Sequence, residues 1–203
     1  MKYIIHDIDH LVFDFSGVTS LDVEQLTECI RTWDGWKNFT PNQTRIVFPG
    51  NGATDVRARL GEEWLKSWQT DNVSATRFWW PGTEPGAVVG LISKKGSFDF
   101  STTDVVIIDD VISSGTTVSK IREQNAIWMP KTHWHAVAWI KQRACRLKGF
   151  ESTFFGVEVG EKNRRVPINS LSTLLTNVEI AESYARRNFP NPEDFLTALA
   201  ALR

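Results

Sequence analysis

The sequence has few cysteines, no long hydrophobic run and little net charge. Its two cysteines, Cys29 and Cys145, form neither a CxxC motif nor a disulfide framework. The N-terminal stretch "MKYIIHDIDH" places charged residues where a secretory signal needs an apolar core. No stretch approaches the ~20 apolar residues that a membrane-spanning helix requires. These features predict a cytoplasmic protein without a membrane partner.

Nucleic acid is not expected as a partner either. The 203 residues include 23 Lys and Arg against 24 Asp and Glu, which leaves a net charge of -1. Such a balance supplies no basic field that would attract a phosphate backbone. A binding site for a small anion must therefore be built locally. The length and the apolar fraction of 41% predict one globular domain that spans residues 1–203.

Tryptophan, in contrast, is abundant, with nine residues. We expect most of these side chains to fill the core, and one or two to line a pocket for a flat ligand. Trp79 and Trp80 lie in the turn-rich segment 76–100, which we predict to be a long loop or hairpin. If that loop is exposed, the two indoles are suited to stacking on a base or docking on a partner subunit.

Short runs of β-forming residues recur along the chain. We predict strands at 11–18, 45–48 and 105–108, and in the stretches "HAVAWI" and "STFFGVEV". Several of these runs are continuously apolar, as expected for strands that are covered on both faces. Because helical segments separate them, the pattern predicts an α/β domain with a mostly parallel central sheet flanked by helices.

Helical periodicity fills the intervals between the strands. The first predicted helix begins after Thr19 or Ser20 as N-cap, and its apolar face consists of Val23, Leu26, Ile30 and Trp33. The second follows the turn "FPGNGAT", and its apolar side consists of Val56, Leu60, Trp64 and Trp68. Further helices are predicted at 116–125, as a short basic piece at 143–148, and in the C-terminal tail, where Asn191 is the expected N-cap before Pro192.

The segment 105–117, "VVIIDDVISSGTT", combines a buried strand with a polar turn. Ligands of parallel α/β sheets bind at the carboxyl ends of the strands, where Asp109 and Asp110 are expected. The turn that follows contains small and hydroxyl-bearing residues, namely Ser113, Ser114, Gly115, Thr116 and Thr117. Backbone N–H groups at the start of a helix, together with hydroxyl donors, form a site for a phosphate monoester.

The two carboxylates need partners, because adjacent negative charges repel each other and any nearby anion. Sugar hydroxyls donate well to carboxylates, and a divalent cation such as Mg2+ prefers oxygen ligands. A ribose 5-phosphate would satisfy the whole segment. The alternative is structural: the aspartates cap the following turn, and the Ser/Thr cluster is ordinary loop polarity.

This segment closely resembles the phosphoribosyl pyrophosphate (PRPP) binding signature of the type I phosphoribosyltransferases. Both consist of a hydrophobic strand, two acidic residues, two apolar residues and a hydroxyl- and glycine-rich loop. The resemblance implies that Asp109 and Asp110 hold the ribose hydroxyls, directly or through Mg2+, and that residues 113–117 bind the 5-phosphate. It also implies a homodimer that transfers a phosphoribosyl group from PRPP to a nitrogen, usually of a nucleobase. No catalytic residue is assigned.

The same resemblance implies roles for three other parts of the chain. Gly50, Asn51 and Gly52, within "FPGNGAT", stand where the family has a loop for pyrophosphate. A mobile loop over the reacting centre would lie in the segment 76–100 and offer Arg77, Lys94 and Lys95. A small hood formed by the chain termini, here 1–19 and the C-terminal helices 176–203, would select the base. The core would span about residues 20–175.

The acceptor is left open by the sequence. Purine-salvage members commonly carry an aspartate where this chain has Ser113. Orotate enzymes typically have a lysine-rich mobile loop, whereas "SATRFWWPGTEPG" contains only Arg77. A non-catalytic PRPP-binding regulator of nucleotide metabolism is the alternative function. A phosphoesterase has less support, because the signature contains no nucleophile with an adjacent base.

Two further pairs of residues have open roles. Arg164 and Arg165 follow the last predicted strand, at the same sheet end as the signature. There they would either meet an anionic substrate or remain solvated. His133 and His135, in "HWH", would form a metal site only with a third ligand, and none lies nearby in the sequence.

Overall fold

The computed structural model describes residues 2–6, 18–78, 86–89 and 102–202, and it describes 2–6, 76–78 and 86–89 by their backbone alone. The strands are β1 (Lys2–His6), β2 (Val18–Asp22), β3 (Thr44–Pro49), β4 (Gln69–Val73), β5 (Ala75–Phe78), β6 (Gly86–Val89), β7 (Asp104–Ile112), β8 (His133–Gln142), β9 (Ser152–Val159) and β10 (Ile168–Ser170). The helices are α1 (Val23–Arg31), α2 (Gly50–Leu60), α3 (Glu62–Leu65), α4 (Thr116–Ala126), α5 (Leu171–Thr176), α6 (Val178–Asn188) and α7 (Pro192–Ala200), with a 3-10 helix at Asp34–Asn38.

The central sheet has five strands in the order β4-β3-β7-β8-β9, and every neighbouring pair is parallel. Its central strand β7 contributes the four residues 105–108, which are all fully buried. The run is continuously apolar because both faces are covered. Val106 and Ile108 pack in the cluster that includes α1 and α2, whereas Val105 and Ile107 pack in the cluster that includes α4. The predicted parallel sheet flanked by helices is confirmed.

A second, smaller sheet lies beside the first and has the order β10-β1-β2, again with parallel pairs. It joins strands from both ends of the chain, because β1 pairs with β2 on one side and β10 on the other. Helices α5, α6 and α7 follow β10 and share a core formed by Leu171, Leu174, Tyr184 and Phe195. Pro192 begins α7 after Asn191, as predicted. Selection of a base by these terminal segments stays a prediction.

Several predicted boundaries were wrong. The first helix is capped by Asp22, whose carboxylate accepts from the Glu24 N–H at 2.8 Å, whereas Thr19 and Ser20 lie in β2. The second helix ends at Leu60 because Gly61 has φ +80°, so Val56 and Leu60 lie in α2, whereas Trp64 lies in α3 and Trp68 lies beyond it. The short helix predicted at 143–148 is a turn followed by irregular backbone.

The turn-rich segment 76–100 is described only in part. Strands β5 and β6 pair antiparallel, from Ala75 opposite Val89 to Phe78 opposite Gly86, which is the base of a hairpin. Arg77 lies in β5. Lys94, Lys95, Trp79 and Trp80 lie outside the described residues, as does all of the strand predicted at 11–18 except Val18.

The described tryptophans serve mainly in packing. Trp134 and Trp139 are buried in the sheet, and four others are half-buried in an aromatic cluster with Phe39, namely Trp33, Trp36, Trp64 and Trp68. Trp128, just beyond α4, is 56% exposed. None of the helices in the described ranges is long and apolar enough to cross a membrane.

Candidate functional site

Two helices begin at one edge of the central sheet. Strand β3 runs directly into α2 at Gly50, and β7 leads through a three-residue turn into α4 at Thr116. Because β3 and β7 are parallel neighbours, the first turns of both helices lie at the same sheet edge. The first N–H groups of a helix have no intrahelical acceptor and carry a positive partial charge. The edge therefore offers two adjacent places for negatively charged groups.

Asp109 and Asp110 lie at this edge within β7, which extends to Ile112, whereas the sequence predicted a strand that ends at Ile108. The pairing of β7 with β8 continues from Asp109 opposite Ala138 to Ile112 opposite Lys141. Successive side chains of a strand point to opposite faces of the sheet. Asp110 therefore lies on the α2 side, whereas Asp109 lies on the α4 side, where it lines a hollow of about 10 Å³ together with residues 115–118.

The carboxylate of Asp110 rests against the backbone of Gly52. A Cβ atom at position 52 would lie 2.3 Å from both Cγ and Oδ1 of Asp110, a distance at which no side chain fits. Glycine is therefore required for the carboxylate to occupy this position. The contact joins the two parts that the sequence singled out separately, the 50–52 turn and the segment 105–117.

In the loop 113–117, one glycine has a left-handed backbone conformation, and two of the hydroxyl side chains are hydrogen-bonded to each other. Gly115 precedes α4 in the left-handed conformation, with φ +77°. Ser114 Oγ lies 2.9 Å from Thr116 Oγ1 and accepts the N–H of Thr116 at 3.3 Å. Below the loop, a Cβ on Gly115 would lie 2.9 Å from Cys145 Sγ, and burial raises the pKa of that thiol. The loop thus rests on a neutral, tightly packed floor.

Asp109 and Asp110 carry oxygen donors of the kind that Mg2+ prefers, although their side chains lie on opposite faces of β7. Asp109 is 8% exposed and accepts the N–H of Asp110 at 3.0 Å, while Asp110 is more accessible. Within the described ranges, no group of three His, Cys, Asp or Glu side chains is arranged to hold a metal. Mg2+ commonly uses one or two carboxylates, water and the oxygens of a bound phosphate compound. Asp110, the more accessible of the two, matches that donor set, with the remaining oxygens supplied by water and the ligand.

Arg165 lies close to the segment 105–117. The sequence left open whether this arginine meets an anionic substrate or remains solvated. Arg164 and Arg165 are both exposed and follow β9, and Arg164 forms an isolated backbone bridge with Glu161. Arg165 lines a cleft of about 680 Å³ that also contains Ser113. The rest of that cleft belongs largely to α6, whose sequence shows only an amphipathic helix. Sequence reasoning therefore missed the α6 residues.

The two histidines lie at the opposite, N-terminal edge of the sheet, where His133 is paired with Asp104 of β7. His135 is buried, and its Nδ1 and Nε2 atoms lie 2.7 Å from Ser152 Oγ and 3.0 Å from Asp104 Oδ1. His133 Nδ1 is hydrogen-bonded to Glu151. Each imidazole thus has its own structural partners among the described residues, and the metal pair is not formed.

The pairing of His133 with Glu151 predicts a pH-dependent stabilisation. The hydrogen bond and the charge of Glu151 raise the pKa of His133 above its ordinary value of 6.5. Such a group stabilises the folded state fully below the ordinary pKa, and the contribution is lost as the pH rises through the raised pKa. We expect Glu151→Gln to lower Tm most between about pH 5 and 6, and progressively less through the neutral range. Glu193→Gln, at an exposed site on α7, is the control; a Tm difference independent of pH would contradict the prediction.

The sequence matches no family model, and no curated protein is significantly similar to it. The fold, however, is shared with solved structures. A purine phosphoribosyltransferase from Pyrococcus horikoshii superposes with a TM-score of 0.51 at 14% identity, covering 72% of this chain and 86% of that one. A xanthine-guanine-hypoxanthine phosphoribosyltransferase from Helicobacter pylori superposes with a TM-score of 0.50 at 10% identity, covering 79% of this chain and 92% of that one.

The chain therefore has the fold of the type I phosphoribosyltransferases, as the signature resemblance implied. At these identities the likeness is one of fold.

Proposed function

We propose that the protein transfers the 5-phosphoribosyl group of PRPP to a ring nitrogen of a small acceptor, a nucleobase or a related heterocycle, and releases pyrophosphate. The observation that carries this proposal is the contact between Asp110 and Gly52. It sets the Asp110 carboxylate against the first turn of α2, at the sheet edge where α4 also begins, and this arrangement supports binding of a ligand with a phosphate, a diol and a pyrophosphate. The fold shared with solved purine phosphoribosyltransferases supports the same conclusion.

Each part of the donor has a proposed partner. The loop 113–117 and the first N–H groups of α4 would bind the 5-phosphate. Gly50, Asn51 and Gly52, the first turn of α2, would bind the pyrophosphate. Asp109 and Asp110 would accept from the ribose hydroxyls, directly or through Mg2+. When bound there, Mg2+ would neutralise charge on the pyrophosphate.

The transfer itself is a substitution at C1 of the ribose. The lone pair of the acceptor nitrogen forms the new C1–N bond, the C1–O bond breaks, and pyrophosphate leaves with its electron pair; a proton on the nitrogen is lost to solvent. Carbocation character develops at C1, so the protein's contribution is to position the donor and to stabilise the departing charge. No side chain of this chain is assigned to proton transfer.

A non-catalytic, PRPP-binding regulator is the second candidate function. The specific observation in its favour is the pair Ile127 and Trp128, which are 74% and 56% exposed just beyond α4 and offer apolar surface to a macromolecular partner. A homodimer and a cytoplasmic location belong to both candidates as proposals. Turnover of PRPP with any heterocycle in a panel of bases would exclude a purely sensory role.

The donor site is tested by calorimetric titration with PRPP, with and without Mg2+. Asp110→Asn and Thr117→Ala should each weaken binding by about tenfold, because each removes a hydrogen-bonding group from a charged or hydroxyl-bearing ligand. Asp34→Asn, on the exposed 3-10 helix, is the matched control and should bind like the wild type. If the wild type does not bind PRPP, or if Asp110→Asn binds it unchanged, the proposal is wrong.

A further inference from the structure

The cleft beside Ser113 has the size of a small-molecule site. Its volume is about 680 Å³, within the range of roughly 300–1,000 Å³ that is usual for ligand pockets. One wall is a face of α6 with Glu179, Ser183 and Arg187, which lie four residues apart and so point the same way. The other wall is the segment 165–169 that leads into β10, and Ser113 of the signature also lines the cleft.

The charged side chains of this cleft favour an anion. Arg165 and Arg187 contribute two positive charges and Glu179 one negative charge. Burial raises the pKa of Tyr184 to about 12, so its phenol stays neutral and adds no negative charge. In the described part of the chain, neither Arg165 nor Arg187 forms an ion pair, and Arg187 donates to the Ser183 hydroxyl. The neighbouring Arg186, in contrast, is paired with Glu182 at 2.9 Å.

The cleft also contains apolar surface for a flat ring. Val166 and Pro167 line one wall, and Ile180, which is 38% exposed, lines the other. Apolar walls with a few charged groups are typical of sites for aromatic heterocycles that carry a polar substituent. The cleft can therefore accommodate both parts of such a ligand, since the apolar walls face the ring and the charged side chains are available to its substituent.

Arg165 connects this cleft to the signature loop. Burial raises the pKa of Cys145, and the charges of Lys141 and Arg165 oppose that rise, which places Arg165 within electrostatic reach of the thiol. Cys145 Sγ in turn packs under Gly115. Together with Ser113, which belongs to both the signature and the cleft, this places the cleft directly beside the proposed 5-phosphate loop.

We infer that the cleft between α6 and the segment 165–169 binds the acceptor, and that the acceptor is a planar heterocycle bearing a carboxylate, held by Arg165 and Arg187. That the ligand of this cleft is the acceptor of a transfer reaction rests on the proposed function. The ligand class itself rests on the cleft. A guanidinium binds a carboxylate through paired, charge-assisted hydrogen bonds, so loss of either arginine has a measurable cost.

The test uses pairs of probes that differ in the carboxylate: orotate against uracil, and nicotinate against nicotinamide. Each is titrated into the full-length protein by calorimetry, with and without PRPP and Mg2+. In at least one pair we expect the carboxylate to bind about tenfold more tightly than its uncharged partner, the effect of one charge-assisted hydrogen bond. Arg165→Gln and Arg187→Gln should each reduce that preference to about twofold or less.

Arg186→Gln is the matched control, since it removes the same charge from the adjacent position on α6, where the guanidinium is paired with Glu182. It should keep the preference. Equal binding of both members of each pair by the wild type, or an equal loss in Arg186→Gln and Arg187→Gln, would overturn the inference.

Direct titration with PRPP separates this inference from the proposed function. Binding of PRPP without any preference for a carboxylate would refute the inference and leave the donor site standing. Preference for a carboxylate without PRPP binding would refute the transferase proposal and retain the ligand class of the cleft. Neither result depends on turnover.

Discussion

Replacing Gly52 by alanine should abolish tight binding of PRPP while leaving the fold intact. The added Cβ would lie 2.3 Å from the Asp110 carboxylate, which is the end of a flexible side chain and can rotate away. The backbone of Gly52 has an ordinary helical conformation in the first turn of α2, where alanine is intrinsically favourable. The substitution therefore displaces a carboxylate that we assign to the ribose, and it adds a methyl group to the turn that we assign to the pyrophosphate.

We expect PRPP affinity to fall roughly a hundredfold or more, beyond the effect of Asp110→Asn, because two parts of the donor site are disturbed together. Tm should stay unchanged or rise slightly. Calorimetric titration and thermal unfolding of the same samples measure the two effects. If Gly52→Ala binds PRPP with wild-type affinity, donor binding does not depend on the Asp110 carboxylate lying where the structure places it.

Gly61→Ala, at the C-cap of the same helix, is the matched control. Gly61 has φ +80° and ψ 149°, which costs a non-glycine residue about 1–3 kcal/mol, yet a Cβ there would meet nothing within 4 Å. We expect this variant to lose stability and to keep wild-type affinity for PRPP. The two glycines thus predict opposite outcomes, one in binding and the other in stability.

The sequence predicted the sheet more reliably than the ends of its elements. The run 105–108 indicates a buried strand, because a short apolar run made only of β-branched residues is typical of a strand covered on both faces. The sequence predicts that this strand ends at Ile108 and is followed by a turn. In the structure β7 continues to Ile112, because its backbone still pairs with β8 at the sheet edge, where Asp110 is partly exposed and the buried Asp109 carboxylate accepts the Asp110 N–H.

The second helix shows the reverse error. Apolar periodicity linked Leu60 with Trp64, and this pattern outweighed the single glycine between them. Gly61 nevertheless ends α2, because its backbone angles of φ +80° and ψ 149° are incompatible with a continuing helix. Trp64 still packs against Trp36 with the ring centroids 5.1 Å apart, so the apolar face is used although the helix is broken.

The cleft lay beyond sequence reasoning because its parts meet only in the folded chain. Arg165 is a candidate from the sequence because it follows the last predicted strand, whereas Arg187 belongs to a helix whose pattern indicates nothing beyond amphipathicity. Likewise, nothing in the sequence places Gly52 against Asp110. The roles of both sets of residues stay predictions, and substitutions at the closest contacts test them most directly.

Gly115→Ala is expected to impair both stability and PRPP binding. Its φ of +77° costs alanine about 1–2 kcal/mol, and its Cβ would lie 2.8 Å from Leu147 Cδ2 and 2.9 Å from Cys145 Sγ. The loop 113–117 must then move away from its floor, which changes the position of the hydroxyl groups and of the first N–H groups of α4. We expect a loss of about 2–3 kcal/mol in the free energy of unfolding and more than tenfold in PRPP affinity.

A double-mutant cycle with Leu147→Ala separates the two causes. Shortening Leu147 makes room for the new methyl group but cannot relieve the positive φ, so the double variant should be destabilised by less than the sum of the single variants. Strict additivity would assign the cost to the backbone conformation and to the remaining contact with Cys145 Sγ rather than to Leu147. If Gly115→Ala binds PRPP as tightly as the wild type does, the loop does not hold the 5-phosphate, and the α2 edge with Asp110 must carry donor recognition alone.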